Sequence, residues 1–241
     1  MPQGTVTSYG SLTGDWVFQA TPTAGSAPFA SMAGYIDQAQ SSHGVGSSTA
    51  AFQLQSPDNC YLGATLVPWY GDVESTTFNL YSFDVNAQYI TITGTKNSEG
   101  TQLTGTYSVA GGCANGAAGN LTGTRYAAMS GTYSGAGQGS QTVQLTLSES
   151  ATGTGSGTFL ITGSGTFGGI SCFTGGTLSG TSGTVLGNAV TLDLTTNEAA
   201  QSQIVISGTI NTTATLFTVS SMQVTGGSCS GNLGAATLQL Q

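Results

Sequence analysis

Ile90-Thr91-Ile92-Thr93-Gly94-Thr95 returns later in the chain as Ile204-Val205-Ile206-Ser207-Gly208-Thr209. Each stretch sets apolar against polar residues, close to the period of two that a half-buried β-strand requires. Three further blocks recur around this pair in the same order. Tyr9-Gly10-Ser11-Leu12-Thr13-Gly14-Asp15-Trp16 is echoed by Tyr126-Ala127-Ala128-Met129-Ser130-Gly131-Thr132-Tyr133. Asn59-Cys60-Tyr61-Leu62-Gly63-Ala64-Thr65-Leu66 is echoed by Ser171-Cys172-Phe173-Thr174-Gly175-Gly176-Thr177-Leu178. Val109-Ala110-Gly111-Gly112-Cys113 is echoed by Val224-Thr225-Gly226-Gly227-Ser228-Cys229, with one residue inserted. Ordered self-similarity of this kind marks a duplicated module. The expected division is residues 1–126 and 127–241.

Within each copy the alternation persists. Phe78-Asn79-Leu80-Tyr81-Ser82-Phe83 and Val143-Gln144-Leu145-Thr146-Leu147 read as strands, with Gly-containing stretches such as Asn97-Ser98-Glu99-Gly100 between such segments. About eight strand-like segments per copy predict an all-β fold of tandem antiparallel meanders, each an eight-stranded barrel or a sandwich. Closure into a barrel is favoured, because few charges are available to guard an exposed sheet edge.

Composition narrows the function classes. The chain has 241 residues, with 39 Thr, 29 Ser and 38 Gly, only 2 Lys+Arg against 10 Asp+Glu, and a net charge of −8. Thr and Gly are poor in helix interiors, which argues against a helical fold. Lys96 and Arg125 are the only fixed cations. Nucleic acid and anionic membrane surfaces need several, so neither is an expected partner. No apolar run reaches the roughly 20 residues of a spanning helix, so no transmembrane segment is expected.

The four cysteines contain no Cys-x-x-Cys pair. Their matching positions in the two copies predict Cys60–Cys113 and Cys172–Cys229 disulfides, and therefore an exported protein. Residues 1–20 show no basic stretch followed by an apolar one. An export signal is accordingly expected to have preceded the chain and been removed.

Leu12-Thr13-Gly14-Asp15-Trp16, Leu103-Thr104-Gly105-Thr106-Tyr107 and Gly111-Gly112-Cys113-Ala114-Asn115-Gly116 carry a resemblance. The chain resembles exported, often lipid-anchored, Ser/Thr/Gly-rich β-proteins of soil bacteria. That resemblance implies a β-fold and a secreted or cell-surface location, with a lipid anchor on the full-length precursor in many cases. It carries over no site residues. Gly14-Asp15-Trp16 is also similar to the Gly-x-Trp near the first strand of avidin and lipocalin barrels. Trp16 is expected to plug the barrel floor.

Catalytic signatures are sparse. A Gly-x-Ser-x-Gly elbow does not occur, and His43 is the only histidine. His43 with Asp37 or Asp58 and one of the many serines is the sole option for a triad, and its Ser/Gly-rich surroundings read as a solvated loop. Asp58, Asp72 and Glu74 offer hard oxygen ligands for calcium, but no ordered loop of alternating acids holds them, so no metal or cofactor is expected. The first copy carries seven acids, both Trp and both fixed cations, whereas the second has only Glu149, Asp193 and Glu198 as charged residues. One stretch has no aromatic or acidic counterpart in the second copy: Val67-Pro68-Trp69-Tyr70-Gly71-Asp72-Val73-Glu74, read as a Pro/Gly loop. Its rings can stack on a sugar while its acids accept hydroxyl hydrogen bonds. The expected ligand-binding residues are therefore Trp69, Tyr70, Asp72 and Glu74. The expected function is non-enzymatic binding of a neutral carbohydrate or small apolar molecule. The alternatives are a structural or adhesive surface protein and a hydrolase acting on a polysaccharide or ester.

Overall fold

The computed structural model describes residues 10–24, 29–39, 46–55, 59–61, 66–199, 201–227 and 230–241. His43, Asp58 and Cys229 lie outside the described residues. Two compact units emerge, one comprising Met1–Thr13 and Val17–Arg125, the other Gly14–Trp16 and Tyr126–Gln241.

The first ring of strands is β1 (Gly14–Ala24), β2 (Ser31–Gln38), β3 (Gly46–Gln55), β4 (Val67–Val73), β5 (Thr77–Ser82), β6 (Tyr89–Lys96), β7 (Gln102–Ala110) and β8 (Ala118–Tyr126). Each pairs with its sequence neighbour, and the ring closes as an eight-stranded barrel. A 3-10 turn, Asn59–Tyr61, lies between β3 and β4.

The second ring is β9 (Gly131–Ala136), β10 (Thr142–Gly153), β11 (Phe159–Gly168), β12 (Gly175–Leu186), β13 (Ala189–Thr196), β14 (Gln203–Ile210) and β15 (Leu216–Thr225). It closes through β17 (Ala236–Leu240), which pairs with both β15 and β9. A short β16 (Gly231–Asn232) is appended to β15. Both modules are thus closed antiparallel barrels of eight strands, not sandwiches.

The repeated blocks fall at corresponding places in the two rings. The first opens strand one of each barrel, and the cysteine of the next block, Cys60 or Cys172, lies between strands three and four. The Ile-containing block is strand six in both, β6 and β14, and the last follows from the end of strand seven. Even the repeated glycine has one cause. A Cβ on Gly94 would penetrate the Thr104 carbonyl oxygen of β7, and a Cβ on Gly208 would penetrate that of Thr218 on β15. Strands six and seven approach too closely there for any side chain.

Inward side chains fill the barrels. In the first, Phe18 meets Phe52 edge-on at 5.2 Å between ring centroids, and Phe52 meets Trp69 at 6.0 Å. Phe29 packs on Tyr107 at 5.2 Å. In the second, Tyr133, Leu145, Ile161, Leu192, Ile206 and Phe217 are buried in one cluster. The Tyr133 hydroxyl donates to the Ala214 carbonyl at 2.7 Å, which satisfies the one polar atom that this ring brings inside. Trp16 is fully buried at the start of β1.

Cys60 and Cys113 form a disulfide, tying the 3-10 turn to the segment after β7 across 53 residues. Cys172 is disulfide-bonded as well. Its expected partner, Cys229, is beyond the described residues. Among the described residues, no helix is long and apolar enough to cross a membrane.

Candidate ligand-binding face

The stretch read as a loop in the sequence is β4, a regular strand with burial alternating at every residue. Two features disguised it. Pro68 is the second residue of the strand and faces outward, where its carbonyl still accepts the Phe83 N–H at 3.0 Å. Gly71 faces inward, where a Cβ would clash with the Asn79 carbonyl oxygen of β5. Proline near a strand end and glycine at a close approach are both compatible with a sheet.

Because β4 is a strand, the four expected site residues separate. Trp69 points into the barrel, is 1% exposed and packs on Phe52. It belongs to the core. Tyr70 and Asp72 point outward, and Glu74 is exposed just past the strand, its N–H donating to the Thr77 carbonyl at 2.9 Å. The outer face therefore retains Tyr70, Asp72 and Glu74 and loses Trp69.

That face gains aromatic neighbours. Tyr81 stands directly opposite Tyr70 in the β4–β5 register, with ring centroids 5.6 Å apart. Phe83, just after β5, meets Tyr70 edge-on at 5.3 Å. Tyr89 begins β6, across the hairpin closed by the reciprocal hydrogen bonds of Val85 and Gln88. Tyr70, Phe83 and Tyr89 are 50%, 53% and 54% exposed. Tyr70 packs on Tyr81 and Phe83, and Tyr89 is exposed at the start of the next strand. Exposed rings grouped on a barrel whose other outward positions are mostly Thr, Ser and Gln are of the kind that marks an interaction site.

The sequence carried a signal for these rings. In Phe78-Asn79-Leu80-Tyr81-Ser82-Phe83 the buried parity is Phe78, Leu80 and Ser82. The aromatics at positions 81 and 83 fall on the opposite parity, and a strand with large apolar residues on both parities must expose one set or cover it. Tyr89 carried no such signal, because it is the first residue of its strand.

Polar groups border the rings. Asp72 pairs in register with Ser47 on β3 and Asn79 on β5. On β2, Tyr35 and Asp37 share the outer face. Partial burial, and secondarily the Asp37 charge, push the Tyr35 hydroxyl above its usual value. The cations are engaged elsewhere. Lys96 Nζ donates to the Gly10 carbonyl at 2.7 Å, and Arg125 Nη1 donates to the Ser11 carbonyl at 2.6 Å. Burial holds both groups below their ordinary values. They tie down the segment entering β1.

The second compact unit contains a different acid constellation. Asp15 is 1% exposed, and its carboxyl is pushed up to about 9, first by burial and then by the facing Glu149. Glu149 is also raised by burial, with the Met129 N–H, 2.7 Å from its Oε2, pulling the other way. One proton held between the two carboxyls, Asp15 buried and Glu149 partly so, is the natural state of such a pair. Among the described residues, no three His, Cys, Asp or Glu side chains are grouped closely enough to hold a metal ion.

No protein family, curated protein or solved structure matches this chain.

Proposed function

We propose that the chain is an exported, non-enzymatic binding protein that holds a neutral carbohydrate on the outer face of its first barrel. The observation that carries this reading is the cluster of Tyr70 with Tyr81 and Phe83 on the outer face, Tyr70 and Phe83 half-exposed, with the half-exposed Tyr89 opening the next strand. Aromatic faces accept the C–H face of a sugar ring, and flanking carboxylates accept its hydroxyls. Asp72 supplies such an acceptor in the outward row next to Tyr70 and Tyr81, and Glu74 extends the acidic border past the end of the strand. A face bordered by acids, with both fixed cations bound to backbone carbonyls, repels phosphate, sulfate and uronate groups. The disulfides favour an oxidising compartment, which supports export. A small apolar ligand inside the first barrel has less support, because Phe18, Phe52 and Trp69 pack across that interior.

The test is a glycan array followed by calorimetry on whichever neutral glycan binds. Tyr70→Ala should weaken binding by roughly 2 kcal/mol, as loss of a central aromatic anchor does. Unchanged affinity in this variant would remove the face from the reading.

A further inference from the structure

We infer that the ligand of this face is an extended polymer chain lying across the strands, not a single sugar; this deepens the carbohydrate reading and rests on it. The rings stand on the outside of a closed barrel, where among the described residues Tyr70, Phe83 and Tyr89 are half-exposed and not enclosed. Small-ligand sites are concave and bury most of the ligand. A lone sugar on an outward face would be covered on one side only. A polymer overcomes this by repeating the same weak contact along its length.

The register shows the track such a chain would follow. Asp37 on β2 pairs with Thr49 on β3, Thr49 with Tyr70 on β4, Tyr70 with Tyr81 on β5, and Tyr81 with Thr91 on β6. All five side chains take the outward parity of their strands. The row crosses four strand spacings, about 19 Å in all. It has two packed rings at its centre and hydroxyl or carboxylate groups at both ends. Phe83 and Tyr89 widen it on one side. Asp72 and Asn79, paired in the next outward row, border it on the other. Acids at Asp37 and Asp72, without a free cation on the face, fit an uncharged chain and disfavour an acidic one.

The test uses the full chain and neutral β-linked gluco-, xylo- and N-acetylglucosamine oligosaccharides of one to six units. Affinity should rise at least about tenfold from the dimer to the hexamer of the preferred series. Thr91→Ala and Asp37→Ala, at opposite ends of the row, should each weaken the hexamer roughly fivefold and leave the dimer unchanged. Tyr70→Ala should weaken both, by roughly thirtyfold. Thermal melts of each variant check that these outward substitutions leave the barrel folded. A monosaccharide that binds as tightly as the hexamer overturns the polymer inference and leaves the carbohydrate reading standing. End variants that weaken dimer and hexamer equally overturn the proposed track. Failure of every glycan to bind overturns the carbohydrate reading and this inference with it, as does a dimer of the chain that Tyr70→Ala dissolves.

Discussion

Trp69 and Tyr70 are adjacent in the chain and face opposite solvents, one the barrel interior and one water. Their substitutions should therefore separate cleanly. Trp69→Ala removes a fully buried ring and should cost about 3–5 kcal/mol of first-unit stability in urea denaturation. Tyr70→Ala should change stability by less, about 1 kcal/mol, while removing the binding surface. The acid pair gives a second residue-level prediction, in the second unit. Burial, and then the facing Glu149, push the Asp15 carboxyl up from its ordinary 3.8 to about 9 in the folded state. Across that window the folded state keeps a proton that the unfolded chain has released. Stability from this group is complete below about pH 4 and is lost as pH climbs toward 9, and the upward shift of Glu149 acts in the same sense. Asp15→Asn replaces the shared proton with an amide that can donate to Glu149 at any pH. Urea melts at pH 4, 6 and 8 should show a flatter pH dependence for this variant. At pH 8 it should exceed the parent by at least about 1.4 kcal/mol, the worth of one pKa unit. An unaltered slope would mean that the pair does not share a proton.

At the scale of the element, the strand-six block explains why one glycine recurs. Gly94 and Gly208 stand where strands six and seven leave no room for a Cβ. Gly94→Ala and Gly208→Ala should each cost about 1–3 kcal/mol, in the first and second unit respectively, read by amide exchange of the surrounding strand. The Cys60–Cys113 link closes a long loop, so replacing both cysteines with Ser should cost the first unit about 4 kcal/mol. Strands of this kind were legible from period two and from the repeat, because both depend only on residue order. Val67–Val73 was not. Its Pro68 and Gly71 carry the usual signals of a loop, and only the neighbouring strands reveal that the proline sits on the outer face and the glycine at a close approach. The candidate site inherited that error. Tyr70, Asp72 and Glu74 were found as a stretch of sequence. Tyr81, Phe83 and Tyr89 join them only through the pairing of β4 with β5 and β5 with β6.

At the scale of the whole molecule, duplication built two closed rings and then let them diverge. Closure leaves neither ring with a long free edge, which suits a chain with few charges to protect one. It also explains how the outer faces could diverge, since outward positions bear little on packing within the ring. The first barrel has an aromatic face, while the corresponding strand of the second, β12, carries only Ser, Gly and Thr over Ser179–Thr184. Each ring has its own buried cluster, so a core lesion in one should stay there, as sites without shared partners respond nearly independently. Leu192 is fully buried in the second cluster, and Leu192→Ala should cost that unit about 2–5 kcal/mol. Native-state amide exchange can read the two units in one sample. Protection at Ile206 and Phe217 should fall, while protection at Ile92 and Tyr107 should hold. Equal loss in both sets would show that the rings unfold as one cooperative body, whatever their separate ancestry in the sequence.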